Sequence, residues 1–405
     1  MRTSYSFILV FIVLCASAQY SMKSENQFVF LSSGLDDLWT PQTIKIELDA
    51  NVGSNSFNNG MFNDVLFRSG FISDGKQTFL ESQKARTNFY AQIKGEMEYK
   101  INSSVGVYAK NRNVVGYSGG TAFMQLILFG NADFQDQKVS SGNLNFLSAS
   151  AVSGGITLKS VKDKKLNAKL GIGLNAITNY SQIKASIMSL YTANNGGFLE
   201  AVFDNFSSSV GGKGMNGIGL DLNYSIDFKK SEKMIFSFKV ADLNVNYLFD
   251  QNETHIDTTL YFAGYKYQFG SKDASFSKFI DTSFTAIIDM GVVRKKRLSL
   301  PSKINISGSY MVGKNSKLIL DFAAIDFGNF GMSGSLALER NFSKNLKILS
   351  ALGYGNFTGL TWREAVEIST TNGFNYYLNF MGLQSAFVPL QTHNYSLGLG
   401  VAKHF

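Results

Sequence analysis

The sequence predicts an all-β fold: a transmembrane, antiparallel, up-and-down β-barrel of about 14 strands. Three observations carry the prediction. Apolar and polar residues alternate with a period of two in segment after segment. These segments run to about a dozen residues, twice the usual strand of a soluble domain. The connections between them are short and polar at one end and long at the other, the layout of a barrel that crosses a membrane.

The chain opens MRTSYSFILVFIVLCASAQ. A basic Arg2, an apolar run from Phe7 to Cys15 and Ala16-Ser17-Ala18 make the pattern of a secretory signal peptide cleaved after residue 18. Leu14 is too bulky for a lipoprotein site at Cys15. The run is also too short to span a bilayer as a helix, and no later run approaches the length that would. Residues 19–42 form a periplasmic or lumenal segment, and 43–405 form the barrel. Cleavage removes the single cysteine, so the exported chain relies on backbone pairing and packing.

Alternation is clearest in FYAQIKGEMEYKI. Phe89, Ala91, Ile93, Met97, Tyr99 and Ile101 fall on one face, and Tyr90, Gln92, Lys94, Glu96, Glu98 and Lys100 on the other. LNAKLGIGL (166–174) sets Leu166, Leu170, Ile172 and Leu174 against Lys169 and two glycines. IGLDLNYSIDF (218–228) sets Ile218, Leu220, Leu222, Tyr224, Ile226 and Phe228 against Asp221, Asn223 and Asp227. At roughly 3.3 Å per residue and a tilt near 40°, a dozen residues cross a hydrocarbon layer of about 25–30 Å. The large faces therefore meet lipid. Lys94, Glu96, Glu98, Lys100, Lys169, Asp221, Asn223 and Asp227 point into the lumen. Their mixed signs suit a mutually neutralised interior better than the single-sign rings of a selective pore.

Short turns fall at 102–104, 162–165, 229–233, 313–317 and 341–345. The longer segments are about 52–88, 112–145, 177–215, 249–260, 294–303 and 357–373. This gives fifteen strand segments, where a barrel with both ends on one side needs an even number. The segments 183–190, 374–387 and 283–293 are the candidates to lie outside the wall. TAFMQLILFGN (121–131) spaces Phe123, Leu126 and Ile127 as a short helix would. The last strand, NYSLGLGVAKHF, carries Tyr395, Leu397, Leu399, Val401 and Phe405 on its large side.

Several features together resemble outer-membrane barrels of the Bacteroidota type: the export signal, the long alternating strands, LPSKINISGSYMV at 300–312 and a final strand ending in Phe405. The FadL-like and PorV-like barrels and a related family without assigned function are the similar groups. FGNADF before a strand near 146–160, followed by YTANN at 191–195, resembles the last of these. The resemblance implies that Tyr395, Leu397, Leu399, Val401 and Phe405 form the signal read by the barrel-insertion machinery. It also implies a non-enzymatic protein of the outer membrane that binds or passes a small hydrophobic molecule. The alternative is a docking barrel in type 9 secretion or surface-protein assembly. A hydrolase is the third reading. The expected partners are outer-membrane lipid, the insertion machinery, and a hydrophobic small molecule or a secretion-system protein.

Other motifs read as structure. GYSGG (116–120) fits G-x-S-x-G, with Ser118 as nucleophile and His255 or His393 as base. That elbow belongs on a parallel strand–helix sheet, and the alternation here is antiparallel. Gly212, Gly214 and Gly217 fit G-x-G-x-x-G, but a strand follows instead of a helix. His255, His393 and His404 lack metal-ligand spacing, and Asp281 and Asp289 do not make a calcium loop, so no metal or cofactor is expected. The net charge of +8 comes largely from turn lysines, which do not form the basic face a nucleic acid needs.

Overall fold

A computed structural model describes residues 42–56, 85–129, 134–162, 165–193, 198–211, 214–249, 251–263, 292–294, 297–298, 300–326, 330–355, 359–387 and 394–405. The chain forms a closed wall of 14 antiparallel strands. In chain order these are β1 (Thr43–Ser54), β2 (Arg86–Lys100), β3 (Val105–Gly120), β5 (Leu144–Lys162), β6 (Leu166–Ala185), β9 (Gly217–Ser231) and β10 (Met234–Leu248). They continue with β14 (Ser302–Met311), β15 (Ser316–Asp326), β16 (Phe330–Asn341), β17 (Leu346–Gly355), β18 (Gly359–Ser369), β19 (Phe374–Met381) and β20 (Asn394–His404). Each pairs with the next, and β20 pairs with β1 from Thr43↔His404 to Gly53↔Asn394, which leaves no free edge. Connections 101–104, 232–233, 312–315, 342–345 and 370–373 lie on the rim that also carries both ends of the wall.

Side-chain alternation sorts the wall into two faces. Met97, Leu174, Leu220, Ile306, Leu336 and Leu352 are exposed on the outside, while Lys94, Lys110, Lys239 and Arg363 are buried inside. Along β10 the outward band runs from Phe236 to Tyr247, a span of about 25 Å at the usual rise and tilt. That matches a hydrocarbon layer. Among the described residues no helix is long and apolar enough to cross a membrane; the strands make the crossing.

Six further strands stand off the rim opposite the termini. They are β4 (Lys138–Ser140), β7 (Ile187–Thr192), β8 (Phe198–Val210), β11 (Gln251–Ala263), β12 (Val292–Arg294) and β13 (Arg297–Leu298). Ser181–Lys184 at the end of β6, and then β7, pair along one edge of β8, and β11 pairs along the other. With helix α1 (Thr121–Phe129), β4, β7, β8 and β11 fold over the outside of the wall, while β13 pairs with β10 and turns Leu298 inward. Phe89, Val115 and Tyr117 have outward parity, yet they are buried in one cluster with Phe123, Val139, Phe203 and Phe206. Phe203 and Phe206 meet edge to face at 5.4 Å.

Several expected boundaries shift. The segment 374–387 supplies a wall strand, β19, followed by a 3-10 turn at Leu383–Ala386. Of the segment 183–190, residues 183–185 end wall strand β6 and only Ile187–Leu190, in β7, lie outside the wall; 283–291 falls outside the described residues. The expected long segments 177–215 and 357–373 are largely strand, and 112–145 is part strand and part helix: β3 runs on to Gly120, β6 to Ala185, and β18 occupies 359–369. The segment 249–260 holds most of β11, and Arg297–Leu298 of 294–303 forms β13. The helix expected at 121–131 forms over Thr121–Phe129, with Phe123 buried.

Candidate functional site

The lumen has two unlike walls. On the first, β3 projects Tyr108, Lys110 and Arg112 inward, because alternate residues of one strand share a face. The row through Tyr108 runs Tyr108↔Gly155↔Gly173↔Asp221 across β3, β5, β6 and β9. The two middle positions are glycines for a geometric reason. A Cβ on Gly155 would sit 2.2 Å from the Ile172 carbonyl oxygen, and one on Gly173 would sit 2.5 Å from the Tyr108 hydroxyl. The sheet is creased here, and the tyrosine lies across the crease. Its hydroxyl donates to Asp221 Oδ2 at 2.9 Å.

Opposite the crease, β10 carries a bulge. Val240 faces Tyr224 and Leu243 faces Leu222, so Ala241 and Asp242 together oppose Asn223. Asp242 takes a left-handed conformation with φ 56°, which Asp tolerates, and Asn223 Oδ1 accepts its backbone N–H at 2.9 Å. The bulge pushes Asp242 inward. Lys110 Nζ then lies 2.7 Å from Asp221 Oδ2 and 2.6 Å from Asp242 Oδ1. Four strand spacings separate β3 from β10, about 19 Å of sheet, so crease and bulge are both needed for one lysine to reach. Arg112 Nη2 donates to the Pro301 carbonyl at 2.5 Å and to Gln92 at 3.1 Å. An amide ladder continues the brace: Asn175 donates to Asn246 at 2.8 Å, and Asn246 to Asn244 and to the Leu298 carbonyl. Gly219 clears its path, since a Cβ there would lie 2.3 Å from Asn246 Oδ1. Beyond the brace, Tyr90, Val114, Leu147, Tyr180, Leu298 and Leu300 pack into an apolar cluster.

The second wall, from β15 round to β20, carries an apolar patch among paired charges: Ile319, Ala337, Leu349, Ala351, Ala365, Tyr377 and Ala402 form one buried cluster, beside Asp321 and Arg363 and the ion pairs Lys317–Glu339 and Lys347–Glu367, each at 2.9 Å. A water-filled channel presents polar residues all round its interior. This lumen instead sets a wall of mutually neutralised charges against one that carries a continuous apolar patch.

The lumen-facing residues expected from the sequence all have inward parity. Lys94 pairs with Glu96 at 2.8 Å, and Lys169 with Glu98 at 3.1 Å. Asp221 accepts from Tyr108, Lys110 and Asn223. Lys100 is buried near the rim of the termini, and Asp227 accepts from Asn167 at 3.4 Å. The sequence reading missed Tyr108, Lys110, Arg112 and Asp242. The first three alternate with Val107 and Ala109 and were readable by the same period; the Asp242 bulge had no such signal. Tyr395, Leu397, Leu399 and Val401 lie on the outward side of β20, and Phe405 is exposed at the rim.

Ser118 lies within strand β3, not on a strand-to-helix turn. Its hydroxyl donates to Asn88 at 2.7 Å and accepts from Arg86 at 3.0 Å. His404 sits at the other rim with Thr43 and Asn375. His255 is exposed on β11, and His393, Asp281 and Asp289 lie outside the described residues. A strand, β9, begins at Gly217.

No family model matches the chain, and no curated protein does. Solved outer-membrane barrels are loosely similar. The toluene transporter TodX of P. putida aligns over 90% of this chain and 89% of its own at 7% identity, with a TM-score of 0.41. A Pseudomonas aeruginosa FadL homologue aligns over 90% of both at 10% identity and TM-score 0.41. The translocator domain of the autotransporter NalP from Neisseria meningitidis aligns over 97% of both at 9% identity and TM-score 0.38. The fold assignment rests on the strand pairing that closes the wall.

Proposed function

We propose that this chain is an exported outer-membrane barrel, not an enzyme, that binds or passes a small hydrophobic molecule. The short-turn rim faces the periplasm. One observation carries the reading: seven inward side chains of β15–β20 close into a continuous apolar patch, where a water-filled barrel would present polar residues. An apolar solute gains from such a wall by leaving water, roughly 25 cal/mol per Å² of apolar surface buried. The opposite wall contributes rigidity, because its charges satisfy one another and offer little to a charged solute. Lipid around the outward band and the insertion machinery acting on the Phe405 strand are the partners this reading implies.

The test uses the purified full-length protein in vesicles. Entry of a fluorescent hydrophobic probe such as N-phenylnaphthylamine is followed beside a Leu349→Asp variant that still folds. Faster entry than in protein-free vesicles, reduced in the variant, supports the reading. Equal entry with and without protein, together with no small apolar molecule extractable from the purified barrel, contradicts it.

A further inference from the structure

One side chain on the lipid face breaks the pattern of the rest. Glu364 is the central residue of β18 (Gly359–Ser369), and its parity is outward, since Arg363 and Ala365 on either side are buried inside. Among the described residues it is the one acidic or basic side chain on the outer face of the wall away from the strand ends. Its register partners are Ser350 on β17 and Phe380 on β19. Ser350 Oγ donates to Glu364 Oε2 at 2.6 Å, and Trp362 Nε1 donates to Oε1 at 2.8 Å. Leu338, Leu352, Val366 and Leu378 surround this polar pair with apolar surface. A polar group facing hydrocarbon at mid-depth is unfavourable, and such groups in membrane proteins mark function. Nothing in the lumen explains this one, because it points away from the lumen.

We propose that Glu364 and Ser350 form a docking site within the membrane for a second copy of this chain. Two features select that occupant. The first is self-complementarity. Two copies share one orientation in the bilayer, so a twofold axis along the membrane normal between β17 and β18 sets β17 of each against β18 of the other. Ser350 then meets the second copy's Glu364 at the same depth, and the reverse contact forms at once. Each carboxyl oxygen accepts one hydrogen bond in the single chain and has a second lone pair, so the one O–H of each Ser350 is shared as a three-centre bond between its own Glu364 and the second copy's, and the two polar pairs cover one another from the hydrocarbon. The second feature is access. Leu336, Leu338, Leu352 and Tyr354 leave the β16 and β17 surface beside Ser350 exposed, and on β18 the turn after β19 covers only the rim end, where Phe387 stacks on Trp362 at 5.9 Å; the β3, β6 and β10 sides of that rim carry the appended strands and helix. Two barrels can therefore approach wall to wall over β15–β18. The inference depends on the barrel's place in a membrane and not on what passes through it.

The full chain, in a density-matched detergent, is examined by sedimentation equilibrium. Self-association is expected, weakened roughly tenfold by Glu364→Leu, or about 1.4 kcal/mol, and little changed by Glu364→Gln, which still accepts the hydrogen bonds. Ser350→Leu is the second variant, and heat-modifiable gel mobility confirms that each is folded. To locate the contact, Cys15→Ser is combined with Leu352→Cys, or with Leu220→Cys on the far side of the wall, and the proteins are oxidised in vesicles with copper phenanthroline. Cross-linked pairs with Leu352→Cys and not with Leu220→Cys support the proposal. A monomer at every concentration, association undiminished in both Glu364→Leu and Ser350→Leu, or equal cross-linking at the two positions overturns it.

Discussion

Replacing Asp242 with Asn isolates the charge that braces the lumen. Asn is nearly isosteric and tolerates the left-handed backbone that Asp242 adopts at φ 56°, so the β10 bulge is retained. What changes is electrostatic. Lys110 Nζ loses one of the two carboxylates it touches, at 2.6 Å, and keeps Asp221 at 2.7 Å. Arg112 loses a weaker contact at 3.9 Å. Breaking a buried pair outright costs about 3–5 kcal/mol. A single charge-assisted hydrogen bond contributes about 1.5–3 kcal/mol. With one partner kept, a loss of about 2 kcal/mol is expected. The assay is reversible urea unfolding of the barrel in lipid vesicles, followed by gel mobility. Lys110→Met in the Asp242→Asn background should cost less than Lys110→Met alone, because the lysine has already lost a partner. An Asp242→Asn midpoint within error of the parent, or strict additivity in the double variant, would refute the brace.

Other consequences follow from the same wall. Gly173→Ala should sharply reduce the folded fraction on gels, because its Cβ would meet the Tyr108 hydroxyl at 2.5 Å and the Gly154 carbonyl oxygen at 2.6 Å; Gly171→Ala, with its nearest contact at 3.4 Å, should fold. Leu336→Arg places a charge on the lipid face and should cost about 2–4 kcal/mol in vesicle unfolding if that position lies near the bilayer midplane. A cysteine pair at Glu47 and Gly400, which are register partners across the β1–β20 seam, should form an intramolecular disulfide that keeps the barrel closed in sodium dodecyl sulfate; failure to form it would open the seam.

The barrel was legible in the sequence wherever one face met lipid and the other met charge. The pattern failed where that contrast failed. In β3, Asn111 and Asn113 take outward positions, and from Val114 both faces are covered, by the apolar lumenal cluster on one side and the appended strands on the other. Alternation disappears there, and the second half of the strand reads as loop. In β6 an extra residue, Thr178, shifts the pairing from Ala151↔Ile177 to Ser150↔Asn179 and reverses the parity beyond it. In β18, Arg363 faces in while Glu364 faces lipid, so Trp362-Arg363-Glu364 resembles a polar connection. Of the candidate site, the charged residues of β2, β6 and β9 were visible by period. The creases that unite them were not, because a glycine reveals only that a side chain is absent, not which neighbour occupies the space.

The central claim is that the exposed apolar side of each strand touches acyl chains while the other side is enclosed. Single tryptophans at Leu336 and Ala337, adjacent on β16, test it with Trp39 and Trp362 replaced by Phe. In vesicles of mid-chain brominated lipid, Leu336→Trp should be strongly quenched and Ala337→Trp should not. Equal quenching at the two positions, or none at Leu336→Trp, would contradict the account.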